Sequence, residues 1–156
     1  MLRRSMLGLA MAMVTLAVVY SPIGRRSGPH LNPAMTLTFL RLRRITTTDA
    51  VGFIAGQFVG SVIGLSVAGM LLGRSIGDIR YGAIQPGSFG LTVAWFAEGL
   101  IAMLLVCMVF TVNRTRLVRF TGCFAARLGW LFVTVEAPLS GTGLNAARTF
   151  AASLFA

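Results

Sequence analysis

At 156 residues, 56% hydrophobic and 12% charged, with a mean hydropathy of +0.81, the chain is too apolar for a soluble globular domain and reads as a polytopic membrane protein. Its net charge of +10 does not indicate nucleic acid as a partner. All 14 cations are arginine, and most stand between or at the ends of apolar runs, the pattern of positive-inside topology. No linker or low-complexity stretch divides the chain, so a single transmembrane domain over residues 1–156 is expected.

The first apolar run, Ser5 to Tyr20, is barely long enough for a span. Met1-Leu2-Arg3-Arg4 imitates the start of a secretory leader, but no small-residue cleavage pattern ends the run before Ser27, so a retained span is expected. Ser21-Pro22-Ile23-Gly24-Arg25-Arg26 reads as a turn. A short helix follows from Ala34 to Leu42; at roughly 14 Å it reaches half-way through a bilayer and must lie on the surface or dip in and return. Arg41, Arg43 and Arg44 suit a base at the cytoplasmic interface.

The run from Asp49 to Gly73 can span, and Gly52, Gly56, Gly60, Gly64 and Ala68 place a small residue at every fourth position, a face for close helix packing. Gln57 beside that row is expected to hydrogen-bond a neighbouring element rather than a solute. Arg74 to Phe89 is a Gly- and Pro-bearing loop. Two further spans are expected, Gly90 to Val112 with Glu98 inside it, and Leu117 to Leu139 with Arg127 and Glu136. Ala146 to Ala156 forms a second short helix, for four spans and two half-spans in all.

The two half-spans are introduced by an internal repeat. Ser27-Gly28-Pro29-His30-Leu31-Asn32-Pro33-Ala34-Met35-Thr36 and Ser140-Gly141-Thr142-Gly143-Leu144-Asn145-Ala146-Ala147-Arg148-Thr149 align without a gap and agree at Ser, Gly, Leu, Asn, Ala and Thr. Each runs from a Ser/Gly loop into an Asn, a favoured helix N-cap, and the first copy has Pro33 at the first helical position. With Arg25, Arg26, Arg41, Arg43, Arg44, Arg114, Arg116 and Arg119 on one side and Arg3, Arg4, Arg74 and Arg80 on the other, the charge bias puts the loops on opposite faces. Two half-helices entering from opposite sides would meet at the midplane.

These paired loops, the second followed by Arg148, resemble those of the major intrinsic protein family, the aquaporins and aquaglyceroporins. The Tyr-Ser-Pro and Glu-Ala-Pro-Leu-Ser-Gly stretches are similar to a bacterial branch of it. The resemblance implies an all-α membrane fold, an aquaporin-like inverted repeat with two re-entrant half-helices and, here, four full transmembrane helices. It also implies a homotetramer in a bacterial inner membrane, surrounded by lipid bilayer, passing water or a small neutral solute such as glycerol without cofactor or metal. Asn32, Pro33 and Ala34 with Asn145, Ala146 and Ala147 would form the pore centre. Arg148 would form an outer constriction with Thr142, Val133 and either Met11 or Ala12, while His30 would brace its loop and offer its carbonyl to the pore.

Three departures from the family pattern stand out. Val133 occupies a position where water-selective members place a His, and the less polar constriction favours small neutral solutes. Ala146 replaces a Pro, keeping a good helix former without its preset φ. Measured against the family's six spans, the chain is expected to lack the first and the sixth.

Glu98 is expected to accept hydrogen bonds from a re-entrant loop rather than relay protons, because an unpaired charge in a bilayer demands a partner. Glu136 is expected near the outer mouth, solvated or bracing a loop. Arg127, near mid-span, either snorkels, lines an aqueous cavity or marks relaxed constraint. Cys107 and Cys123, with no metal-ligand spacing, read as buried free thiols. The function classes left are a passive channel, a truncated non-conducting remnant of one, and a secondary transporter. The last needs a midplane carboxylate cluster that the sequence lacks. No nucleophile, base and orienter constellation suggests an enzyme.

Overall fold

In the computed structural model, which describes residues 1–28 and 30–156, the polypeptide is helical in both its long apolar runs and its short ones. Four helical segments are long and apolar enough to cross a membrane: Leu2–Tyr20, Thr47–Leu72, Gly90–Asn113 and Val118–Val135. Two short helices, Pro33–Arg41 and Ala146–Phe155, start at the asparagines of the repeat.

Caps set the boundaries. Helix α1 (Leu2–Tyr20) begins three residues before the expected start and stops at Ser21, whose extended backbone admits Pro22 at the first position of α2 (Pro22–Ser27). The Ser21 side chain accepts from the Gly24 N–H at 3.0 Å, so the stretch read as a turn is a capped six-residue helix. Helix α3 covers Pro33–Arg41. Helix α4 (Thr47–Leu72) starts two residues before Asp49 because Thr46 and Asp49 form a reciprocal capping box, with Asp49 N–H to Thr46 Oγ1 at 3.1 Å and Thr46 N–H to Asp49 Oδ2 at 3.4 Å. Short α5 (Arg74–Gly77) and a 3₁₀ turn at Arg80–Gly82 lie in the loop. Then come α6 (Gly90–Asn113), α7 (Thr121–Val135) preceded by a 3₁₀ turn, α8 (Ala137–Ser140) and α9 (Ala146–Phe155).

The helices form two compact units. The first holds α1, α2, α6, α7 and α8, and the second α3, α4, α5 and α9.

In the first unit α1 and α7 run antiparallel in close contact because glycine stands at both ends of their seam. A Cβ on Gly8 would lie 3.0 Å from the Trp130 ring and 3.2 Å from Val133, and one on Gly122 would lie 2.7 Å from Val19. Ala12 and Ala126 are buried along these helices. Trp130 Nε1 donates to the Ser5 carbonyl at 3.1 Å, and Tyr20 Oη donates to the Arg119 carbonyl at 2.9 Å. Helices α6 and α8 complete the unit.

In the second unit α4 packs against both α3 and α9. Phe58 meets Phe150 edge to face at 5.3 Å, and Tyr81, lying 5.4 Å from the Phe155 ring, rests on Gly69. The small-residue row does not pack as expected. Among the described residues nothing comes within 4 Å of a Cβ built on Gly52, Gly56, Gly60 or Gly64, and these glycines are exposed. Cys107 and Cys123 are likewise exposed rather than buried, since an apolar run marks a residue as lipid-compatible without saying whether it faces inward.

Candidate functional site

The asparagines that end the two repeat loops come together inside the second unit. Asn32 and Asn145 hold nearly the same extended backbone, φ −143°, ψ 126° and φ −139°, ψ 107°, as N-caps of α3 and α9. Asn32 Oδ1 accepts from the Ala34 N–H at 3.0 Å; Asn145 Oδ1 accepts from Ala147 at 3.1 Å and Arg148 at 3.4 Å. Each amide nitrogen then crosses to the opposite loop. Asn145 Nδ2 donates to the Leu31 carbonyl at 2.6 Å, and Asn32 Nδ2 donates to the Leu144 carbonyl. The exchange is reciprocal, and it leaves the second N–H of each amide unused by these bonds.

Pro33 and Ala147 are buried, while Ala34 and Ala146 are exposed at the helix starts. Two positive helix ends therefore face one another across the asparagine pair.

The first loop is held by neutral groups. Gln57 on α4 donates from Nε2 to the His30 carbonyl and, at 3.0 Å, to Thr36 Oγ1, which donates in turn to the Asn32 carbonyl at 3.3 Å. Thr36 is fully buried. The His30 ring stacks on Phe53 at 4.4 Å and leans on Phe39 at 4.9 Å. Among the described residues its buried Nδ1 has no hydrogen-bond partner, and burial lowers its pKa, which favours the neutral ring.

The start of the second loop, Ser140 to Thr142, is tethered by carboxylates within the first unit. Ser140 Oγ donates to Glu98 Oε1 at 2.6 Å and accepts from the Thr142 N–H at 3.1 Å. Thr142 Oγ1 donates to Glu136 Oε2 at 2.7 Å. Thr142 and Leu144 both have positive φ, 55° and 52°. Glu98 thus reaches the loop backbone through a serine hydroxyl, a link that spacing alone does not reveal. Glu136, the N-cap of α8, is 8% exposed rather than solvated.

Of the residues read as a constriction, Thr142 and Val133 are both buried in the first unit, at 2% and 5% exposure, with Thr142 Oγ1 3.5 Å from the Phe132 carbonyl. Arg148 belongs to α9 in the second unit, half-buried, with its guanidinium 3.5 Å from the Gly143 carbonyl. Met11 is half-buried and Ala12 buried. Arg127 is exposed in the middle of α7. Among the described residues no group of three or more His, Cys, Asp or Glu side chains could hold a metal ion.

The site defines a class of membrane protein in which two broken helices meet end to end at their asparagine caps. The comparisons narrow it: residues 2–156 match the profile of the family described as Major intrinsic protein, and the chain belongs to that family. It is 30% identical over 148 residues to the "Probable aquaporin AqpM" of Archaeoglobus fulgidus, covering 92% of this chain and 60% of that one. It is 28% identical over 153 residues to the "Glycerol uptake facilitator protein-like 6" of Lactiplantibacillus plantarum, covering 96% and 70%. The X-ray structure of the aquaglyceroporin from Plasmodium falciparum superposes with a TM-score of 0.83 at 16% identity, over 97% of this chain and 66% of that one. The chain thus spans about three-fifths of the archaeal relative's length.

Proposed function

We propose that this chain supplies the pore centre and part of the wall of a passive membrane channel for small neutral solutes of the glycerol type, with or without water. The observation that carries the reading is the reciprocal asparagine exchange, which joins the starts of α3 and α9. Aquaporin-type pores use the positive ends of half-helices to exclude cations and protons. Here the remaining N–H of Asn32 and of Asn145 can donate to the oxygen of a solute held between those ends. Relatives named as aquaporins and as a glycerol uptake facilitator support a channel rather than an enzyme.

In this reading Arg148, Thr142 and Val133 each contribute to solute selection, His30 contributes its carbonyl to the path, and Gln57 and Glu98 brace the loops. An apolar Val133 suits solutes with a carbon backbone better than water alone. The surrounding partner is the lipid bilayer of a cell membrane, with the chain assembling as a homotetramer.

Stopped-flow light scattering of proteoliposomes under water, glycerol and urea gradients tests the proposal. Glycerol entry faster than in empty liposomes supports it; equal rates for all three solutes overturn it. Arg148→Ala is expected to admit charged solutes that the parent chain rejects.

A further inference from the structure

Helix α3 closes on an arginine where a helix end ordinarily closes on a glycine. Arg43 takes the left-handed position, φ 55°; its N–H donates to the Leu40 carbonyl at 2.9 Å and the Arg44 N–H donates to the Phe39 carbonyl at 2.9 Å, the bonding of a Schellman motif. Glycine adopts that backbone without strain and a residue with a Cβ does not. The helix dipole asks only for a cation in the last turn, which Arg41 already supplies, and positive-inside topology is met by charge anywhere in the loop. Neither explains an arginine at the strained position.

Its surroundings do. An open groove of about 600 Å³ is lined by Leu37, Thr38, Leu40, Arg41 and Arg43. Leu37, 53% exposed, and Leu40 give the groove an apolar floor, and the two arginines make it cationic at the helix end. Arg41, Arg43 and Arg44 are exposed, and among the described residues their guanidinium groups have no hydrogen-bond or ion-pair partner. No acidic residue stands between Leu31 and Thr48, and the carboxylate of Asp49 accepts from Thr46 Oγ1 at 2.7 Å in the cap of α4. Residues 42–46 join α3 to α4, a full span of 26 residues, so this end of α3 lies at the membrane surface, the level of lipid headgroups.

We infer that the groove at the base of α3 binds an anionic phospholipid, its phosphate held by the forks of Arg41 and Arg43 and the start of its acyl chains lying on Leu37 and Leu40. Guanidinium groups present paired donors that match phosphate oxygens. A zwitterionic lipid carries an ammonium that offsets its phosphate, and a free phosphate makes no use of the apolar floor. A lipid with net negative charge satisfies both halves of the groove. The site holds whether or not the chain passes solute.

Native mass spectrometry of the full chain in detergent, titrated with dioleoyl-phosphatidylglycerol, dioleoyl-phosphatidylcholine or inorganic phosphate, tests the inference. The parent is expected to bind its first phosphatidylglycerol about fivefold or more tighter than phosphatidylcholine, and inorganic phosphate in about tenfold excess should not displace it. Arg41→Gln/Arg43→Gly should weaken phosphatidylglycerol binding about fivefold for each arginine removed, the scale of one basic residue beside an anionic surface, and leave phosphatidylcholine binding unchanged. Glycine suits the left-handed backbone, so the unfolding midpoint of this variant in lipid-free detergent is expected at or above that of the parent. Arg41→Gln alone, with about a fivefold loss, covers the case in which the double variant fails to fold. Arg114→Gln/Arg116→Gln removes the same charge from another loop and should bind phosphatidylglycerol like the parent.

Equal affinity of the parent for the two lipids overturns the site. So does a loss in Arg114→Gln/Arg116→Gln as large as in Arg41→Gln/Arg43→Gly, which would reduce the effect to overall charge. Displacement of phosphatidylglycerol by inorganic phosphate at matched concentration overturns the lipid as its occupant.

Discussion

The two asparagine-capped helix starts share a backbone and a pattern of exchange, yet they are held in different ways. At the first, Pro33 presets φ and the loop is tied by a neutral amide, Gln57, and by the stacking of His30 on Phe53. At the second, Ala146 presets nothing, Asn145 caps two N–H groups instead of one, and the left-handed Thr142 is held by Glu136 directly and by Glu98 through Ser140. Where the chain has rigidity built into its covalent structure, uncharged contacts suffice. Where it lacks that rigidity, hydrogen bonds to two glutamate side chains supply it.

The contrast can be broken most severely at Glu98. Glu98→Leu leaves the buried Ser140 hydroxyl without its acceptor and is expected to cost about 2–3 kcal/mol, read as a lower unfolding midpoint in detergent. Gln57→Leu, which removes the neutral brace from the first loop, is expected to cost less, about 1–2 kcal/mol, in the same measurement. If Gln57→Leu proved the more damaging, the assignment of the stronger tether to the second loop would be reversed.

Ala146→Pro makes the second start resemble the first. The Asn145 cap bonds go to Ala147 and Arg148, Ala146 is exposed, and the backbone of Asn145 is already extended as a residue before proline requires. A gain of about 0.5–1 kcal/mol is expected.

The smallest effect concerns His30. Its pKa in the folded chain lies below the unfolded value, so the unfolded chain takes up the proton first. Stability is therefore full above about pH 6.5 and declines as the pH falls through that value toward the folded pKa. His30→Phe should flatten this part of the pH profile of the unfolding midpoint.

Much of this architecture is written locally. Four apolar runs predict four spans, and a Ser/Gly loop ending in Asn predicts each half-helix, because length and capping chemistry depend on adjacent residues. Local patterns also account for two boundaries that a hydropathy reading misplaces: Ser21-Pro22 starts α2, and the Thr46–Asp49 box sets the start of α4.

What depends on distant partners is not written this way. The glycine row of α4 announces a surface able to pack closely, but not that it stands open here. An apolar environment around Cys107 and Cys123 fits a lipid-facing position as well as a core one. The exchange between Asn32 and Asn145 joins residues far apart in the chain, hinted at only by the repeat. The burial of Glu136 at the junction of α7 and α8 is not marked by any local pattern of the kind that marks a cap.

The central claim is that the joined asparagine caps form the centre of a solute path. Its most direct test is glycerol-driven swelling of proteoliposomes carrying the parent chain beside Asn32→Leu/Asn145→Leu, at matched protein density. The account predicts swelling above that of empty liposomes for the parent and a return to the empty-liposome rate for the double variant. A parent no faster than empty liposomes, or a double variant as fast as the parent, would contradict it.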